Sequence, residues 1–467
     1  MIITINIHFV LVFWAVFLLF CKKMCNFASE IWKCAPAFGL TITISFMRGI
    51  IRMKRFLSIL LLILSVQCAV GSFAQGNGDV SGDAKAADKL RKTEVKKQLN
   101  DAKINLKQNK NLDKTEAAMR KLLTDSVNMR DKRLHATLIE SLRKQYNQGN
   151  EKLYLHQAYD TTQLFLIARK IFEAAERLDS IEALPNEKGR VEYSYREGNV
   201  QLMAQLYGNL YTGGVFLLNH RKYSEAVQCV NTYLMAPEWT MMKGALKIDS
   251  LHRRHASYVM LAAGYRNEDF QSALKYEGDA LKYRPRLETT LQYLTEIYHA
   301  KNDSVHYEQY LALGVDTFPR NRYFFSRLVD FYCNHNDYNS ALGVTTKVLA
   351  ADTTDYSTKV IRQTLLLNLA RYDECIALGD KLIAEKDSVS EVYYNNALAY
   401  YNQTMGLEKG PANKRKEREK KLHDLYKKCR PYMEKFRELE PNERAKWRPV
   451  LYNVYLNLNM GKEFSEL

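Results

Sequence analysis

Residues 258–285 read YVMLAAGYRNEDFQSALKYEGDALKYRP, and this stretch decides the fold. Tyr258, Ala262 and Tyr265 hold the i, i+4, i+7 spacing of one helix face. Asn267-Glu268-Asp269 then supplies turn formers, and Phe270, Ala273 and Ala280 open a second apolar stripe that Pro285 stops. Two short helical stripes joined by so brief a turn predict an antiparallel helix hairpin.

The hairpin repeats. Ala273, Tyr307, Ala341 and Cys375 are each 34 residues apart. Two further columns keep the same step, Tyr276/Tyr310/Val344/Leu378 and Leu281/Val315/Leu349/Ile383. Pro285 and Pro319 share it, and Tyr298, Tyr332 and Leu366 carry it back into the preceding helix. Turn formers recur in phase at Lys301-Asn302-Asp303-Ser304, Asn334-His335-Asn336-Asp337-Tyr338 and Leu369-Ala370-Arg371-Tyr372. One hairpin cannot bury both its faces, so the period predicts neighbours stacked into a solenoid. The whole composition agrees. Among 467 residues there are 46% hydrophobic and 26% charged side chains but only 21 Gly and 9 Pro, too few turns for an all-β sandwich.

The pattern of Tyr258, Ala262 and Tyr265 followed by Phe270, Ala273, Ala280 and Pro285 resembles the tetratricopeptide repeat, with a turn one residue short. Tyr393-Tyr394-Asn395-Asn396-Ala397-Leu398-Ala399-Tyr400 matches its first helix, here called helix A. Gly214, Leu217, Tyr223 and Ala226 fit another copy, with Pro237 one place early. The resemblance covers roughly residues 200–441 and implies an all-α, right-handed α-solenoid. It also implies a concave face, built mainly from helices A, that binds a protein or peptide. Carrying the groove columns over gives Gln292, Glu296 and His299 in one repeat, Tyr323, Ser326 and Asp330 in the next, and Tyr394, Leu398 and Tyr401 further on. The same aromatics serve equally well as packing against adjacent helices. The paired Lys and Asn of the family's carboxylate-clamp members are not matched.

Departures from the pattern are informative. Tyr307 and Cys375 stand in a column usually held by Ala, so their hairpins must be spaced or tilted to accept larger side chains. Ala226 and Ala273 lie 47 residues apart, which places an insertion near 238–251, and Cys375 and Cys429 lie 54 apart, which places another near 402–421. The second insertion contains Gly410-Pro411 and the basic run 414–421, and reads as a loop feeding an extended charged helix. Residues 87–199 read as divergent helical hairpins. Residues 442–467, opening on Trp447-Arg448-Pro449, read as a C-terminal cap.

The N-terminus carries a targeting signal. Met53-Lys54-Arg55, an apolar run from Phe56 to Val66, and Gly71-Ser72-Phe73-Ala74-Gln75 make a basic n-region, a short h-region and a cleavage site after Ala74. This predicts export to the periplasm or outer-membrane periphery of a Gram-negative envelope. Residues 75–86, rich in Gly, Asp and Ser, read as a flexible leader. The apolar block Ile2–Phe20 upstream is explained by translation starting at Met47 or Met53; if Met1 is used, it is instead a membrane anchor. Gln67 before Cys68 argues against lipidation there.

Chemistry was sought and a binding role is what remains. No HExxH, GxSxG, GxxxxGK[ST] or strand-borne GxGxxG motif occurs, and no cofactor is expected. His252 and His255 are three apart but flanked by Arg253 and Arg254, and read as surface residues of a basic helix rather than metal ligands. Gly213-Gly214 reads as close helix packing. Cys229, Cys333, Cys375 and Cys429 form no CxxC or Cys/His cluster and read as buried thiols. The Lys/Arg of 414–440 are interleaved with Glu417 and Glu419, a self-paired solvated helix rather than a nucleic-acid surface. Asn219, Asn267, Asn334, Asn368 and Asn402 read as helix-ending residues that tolerate the left-handed conformation. Two alternatives stand beside the scaffold reading: a glycan-binding accessory protein of the outer membrane with a helical-repeat fold, and a helical-toroid glycoside hydrolase. Having only Trp239 and Trp447 beyond residue 74 weighs against both.

Overall fold

A computed structural model describes residues 80–186, 188–407 and 415–467. The signal peptide assigned to 53–74 and the segment before it lie outside the described residues, as does the middle of the 402–421 insertion. Two compact units are present, one ending at Glu94 and the other spanning Val95–Leu467. All regular structure among the described residues is helical. None of these helices is long and apolar enough to cross a membrane.

The helices run in pairs. α1 (Val80–Gln108) and α2 (Leu112–Leu122) are followed by α3 (Lys132–Tyr154) and α4 (Thr161–Glu182), then α5 (Arg196–Asn219) and α6 (Tyr223–Met235). α7 (Ser250–Arg266) pairs with two short pieces, α8 (Phe270–Leu274) and α9 (Glu277–Ala280). Next come α10 (Leu287–Ala300) with α11 (Ser304–Thr317), α12 (Arg322–Asn334) with α13 (Tyr338–Ala351), and α14 (Tyr356–Asn368) with α15 (Tyr372–Glu385). α16 (Ser390–Leu407) with the long α17 (Arg415–Leu439), then α18 (Arg444–Asn457) and α19 (Gly461–Ser465), complete the array. From α2 onward the helices pack on their neighbours in the chain, with α8 and α9 both against α7, so Val95–Leu467 is an all-α solenoid. Residues 80–86, expected in a flexible leader, form the first turns of α1.

One local device closes the hairpins. Arg221, Glu268, Asn302, Asn336, Ala370 and Asn459 all take φ between 53° and 59°. The amide after each one donates to a carbonyl five residues back: Lys222 to Leu217, Asp269 to Gly264, Asp303 to Tyr298, Asp337 to Tyr332, Arg371 to Leu366 and Met460 to Tyr455, every one at 2.9 Å. This is the Schellman turn, which satisfies carbonyls left over at a helix end. Asp269, Asp303 and Asp337 then cap the next helix by accepting from Ser272, His306 and Ser340 amides. The expected Asn rule needs correcting here. Asn219, Asn334 and Asn368 are the last helical residues and Asn267 is a cap at φ −93°, so the left-handed residue follows them; Asn402 lies inside α16. Ala370 holds the left-handed position at a steric cost of roughly 1 kcal/mol that glycine would not bear. After the greater freedom of unfolded glycine is offset, Ala370→Gly is expected to raise stability by about 0.5 kcal/mol. A higher denaturant midpoint at unchanged m-value is the readout.

Glycines set the helix spacing. A Cβ on Gly213 would meet the Phe165 ring at 2.7 Å, and one on Gly214 would meet Val230 Cγ2 at 2.2 Å, so α5 approaches α4 and α6 through bare backbone. Three main clusters of apolar side chains form in chain order. The first runs from Val95 to Ala263, the second from Leu261 to Ala399, and the third from Tyr393 to Tyr455. The 238–251 insertion is packed rather than loose: two 3-10 turns, Ala236–Glu238 and Thr240–Met242, bury Met241, Met242 and Leu246, and Trp239 lies 6.3 Å from Phe172.

The second helix of the best-matching repeat is not continuous. Tyr276, at φ −124° and ψ 32°, breaks it into α8 and α9. The break brings the Glu277 carboxylate beneath two rings, where it accepts from Tyr298 Oη at 2.8 Å and from Tyr310 Oη. Glu277 is half-buried, and the two hydroxyls tie α9 to α10 and α11.

Candidate functional site

The helix-A residues proposed for a groove fall into two groups. Glu296 on α10 and Tyr323 on α12 are brought together, with Tyr323 Oη donating to Glu296 Oε1 at 2.6 Å. The Arg327 guanidinium lies 3.8 Å over the Tyr323 ring and 3.4 Å from the same carboxylate. Burial, and then the Glu296 charge, push the Tyr323 phenol far above its ordinary value, so it remains a donor. Beside this cluster opens a cleft of 350 Å³ whose walls include His299, Asp303, Tyr307, Arg327, Asp330 and Phe331. His299 and Asp330 are exposed there. Ser326 is also exposed, with its hydroxyl on the Arg322 carbonyl of its own helix, and Gln292 is half-buried.

Tyr307, Arg327 and Phe331 were missed by the carried-over groove columns. Tyr307 had left a signal, because it stands where the repeat wants a small residue. Instead of being forced between α11 and its neighbours it turns toward the cleft, 5.1 Å from His299 and 5.8 Å from Phe331, ring to ring. Burial raises its phenol, with Arg327 opposing and Glu296 and Asp330 assisting. The other large residue of that column, Cys375, is fully buried.

Tyr394, Leu398 and Tyr401 belong to a different environment. All three pack against the third apolar cluster, with the Tyr394 ring 4.8 Å from Phe436 and Tyr401 Oη accepting from Asn453 Nδ2 at 2.8 Å. Side chains of α17 and α18 supply the surface they pack on, and all three stay half-buried. Their neighbours Asn395 and Asn396 are buried in an amide network: Gln363 Nε2 donates to Asn396 Oδ1 at 2.9 Å, and Asn396 Nδ2 to Asp380 Oδ1 at 2.9 Å.

The remaining polar groups are structurally engaged. His252 bonds the cap Asp249, and His255 Nδ1 lies 2.6 Å from Tyr211 Oη, so neither faces a shared metal. Burial, followed by the His252 and Arg286 charges, lowers the His255 pKa. Among the described residues no group of three or more His, Cys, Asp or Glu could hold a metal ion. Cys229, Cys333, Cys375 and Cys429 are free thiols. Burial pushes Cys229, Cys375 and Cys429 up to about 12, which leaves them inert as nucleophiles near neutral pH. On α17, Arg415–Glu419 at 2.8 Å and Lys421–Glu417 at 2.9 Å pair within the helix.

The turns, the columns and the stacked helices define a solenoid of tetratricopeptide-repeat type. Solved structures similar to this chain are of that type. The C-terminal part of a TPR repeat-containing protein from Cytophaga hutchinsonii is 16% identical over 52% of this chain and 84% of its own, at a TM-score of 0.31. A TPR repeats protein from Bacteroides fragilis is 16% identical over 53% and 97%, at 0.30. YrrB, described as a TPR protein with an unusual peptide-binding site, is 12% identical over 43% and 91%, at 0.30. No protein-family model matches the chain, and no curated protein matches it.

Proposed function

We propose that the protein is exported and works in the periplasm or at the outer-membrane periphery as a non-catalytic scaffold, seating a protein or peptide segment on its helix-A face. The observation that carries this reading is the cleft at α10 and α12, where Tyr307 and Phe331 offer ring area and His299, Arg327 and Asp330 offer polar contacts. Rings with polar tips beside charged groups suit recognition of a peptide, because they bury area at little entropic cost. Its His299 and Asp330 side chains are open to solvent, an arrangement suited to binding. The targeting signal ending at Ala74 supplies the compartment.

The test is a crosslinking pull-down from the cell envelope with the full chain, set against His299→Ala/Asp330→Ala at equal helicity. Both side chains are exposed, so the double variant leaves the core intact. We expect one protein partner to be retained by the parent and depleted about tenfold by the variant. N-terminal sequencing of the envelope form should begin at Gln75. Identical partners with both chains would remove the groove assignment, retention of glycan instead of protein would select the accessory reading, and a different N-terminus would remove the export claim.

A further inference from the structure

The second insertion leaves a feature that packing does not require. Cys375 and Cys429 lie 54 residues apart where the register asks for 34, and the extra chain includes the first turns of α17. That helix turns Leu422, Tyr426, Cys429, Met433 and Phe436 toward the third apolar cluster. Before Leu422 it has no buried residue: Arg418 is half-buried, and the others from Arg415 to Lys421 are exposed.

Opposite the packed stripe runs a charged one. Lys416, Lys420, His423 and Lys427 keep the i, i+4, i+7, i+11 spacing of a single helix face, and all four are exposed. At the rise of an α-helix they form a row about 16 Å long. The neighbouring carboxylates are drawn off it: Glu417 pairs with Lys421 at 2.9 Å on one flank and Glu419 with Arg415 at 2.8 Å on the other. Among the described residues Lys416, Lys420 and Lys427 have no ion-pair partner. Asp424 stands at the edge of the row, which therefore sets three lysines against one carboxylate.

What the row lacks decides what it fits. It carries no apolar side chain, whereas a protein interface is anchored by apolar or aromatic groups at its centre. Its cations are lysines, point charges without the guanidinium fork that reads bases in a duplex. A plane of anionic headgroups asks for cations in a line and little more, each lysine adding about fivefold in affinity.

We propose that the outward face of α17 docks on an anionic phospholipid bilayer, with Lys416, Lys420 and Lys427 against the headgroup phosphates and no segment of the helix inserted. The compartment rests on the export reading above. The surface chemistry is tested apart from it.

The test is cosedimentation of the chain, purified as the cell processes it, with vesicles of phosphatidylglycerol and phosphatidylethanolamine. Phosphatidylcholine vesicles are the uncharged comparison. Lys416→Gln/Lys420→Gln/Lys427→Gln should weaken binding to the anionic vesicles about a hundredfold at unchanged helicity, since all three side chains are exposed. Lys243→Gln/Lys381→Gln/Lys386→Gln removes the same charge from exposed sites elsewhere and should cost no more than about threefold. Added salt should weaken the parent more than the α17 variant. Equal losses in the two triple variants would reduce the effect to net charge and overturn the proposal. So would equal binding to phosphatidylcholine, or duplex DNA bound as tightly and lost with the same lysines, which would make the row a nucleic-acid surface. Retention of an envelope protein through these lysines, with the vesicles left unbound, would make it a protein-docking face instead. The vesicle result stands or falls by itself, whatever N-terminus sequencing finds.

Discussion

Gly264→Ala is expected to destabilise the protein by about 3 kcal/mol, the upper part of the range for forcing extra atoms into a packed site. The reason is geometric. A Cβ at position 264 would sit 2.7 Å from the Ala273 amide nitrogen and 2.8 Å from its Cα, and backbone cannot rotate aside as a side chain can. Gly264 also accepts the Schellman hydrogen bond from Asp269 at 2.9 Å, so pushing α7 away from α8 strains the turn as well. Chemical denaturation followed by circular dichroism measures the effect. Gly278→Ala, where an added Cβ meets nothing within 4 Å, is the control and should be near neutral. Equal behaviour of the two variants would show that the helix contact is not tight.

Glu182→Ala should cost about 2–4 kcal/mol, because it strips the acceptor from two backbone amides at once. Glu182 is fully buried, and its two oxygens take the Ser194 and Tyr195 N–H groups at 2.8 and 3.2 Å. Lys132, the cation paired with it, is 4.0 Å away, so the amides are the principal partners. Without them the connector between α4 and α5 loses its latch. Limited trypsin digestion should then cut at Lys188 or Arg190 well before the rest of the chain, and Glu182→Gln, which keeps one oxygen, should fall between. Unchanged cleavage would mean that the connector is held by other contacts, such as the Arg196–Asp179 fork.

The fold was legible because the period is carried by residues whose roles are local. Ala273, Ala341 and the turn formers before them specify a tight helix crossing and a left-handed turn, and neither depends on distant sequence. The broken helix at Tyr276 was not legible, since the Glu277 contacts that accompany it, to the Tyr298 and Tyr310 hydroxyls, are long-range and leave no local pattern. The site was half legible. His299 and Asp330 line one cleft and the Tyr323–Glu296 pair meets it through Arg327, because α10 and α12 are ordinary repeats of the register. Tyr394, Leu398 and Tyr401 hold the same columns but are half-buried against the third apolar cluster, because the helix that follows them runs to 25 residues and contributes to that cluster with α18. A column position specifies a helix face, and what lies over that face is decided by the length of the next element.

The ordering of the apolar clusters along the chain bears on how the molecule comes into being. Each cluster draws on consecutive helices, and each turn closes through bonds no more than five residues apart. Contacts of short sequence separation cost little loop entropy, so a newly made chain need not wait for its far end before its first hairpins take shape. Assembly then proceeds by accretion, each completed pair serving as the template on which the next is laid, and damage to one pair is felt first by the pairs on either side of it.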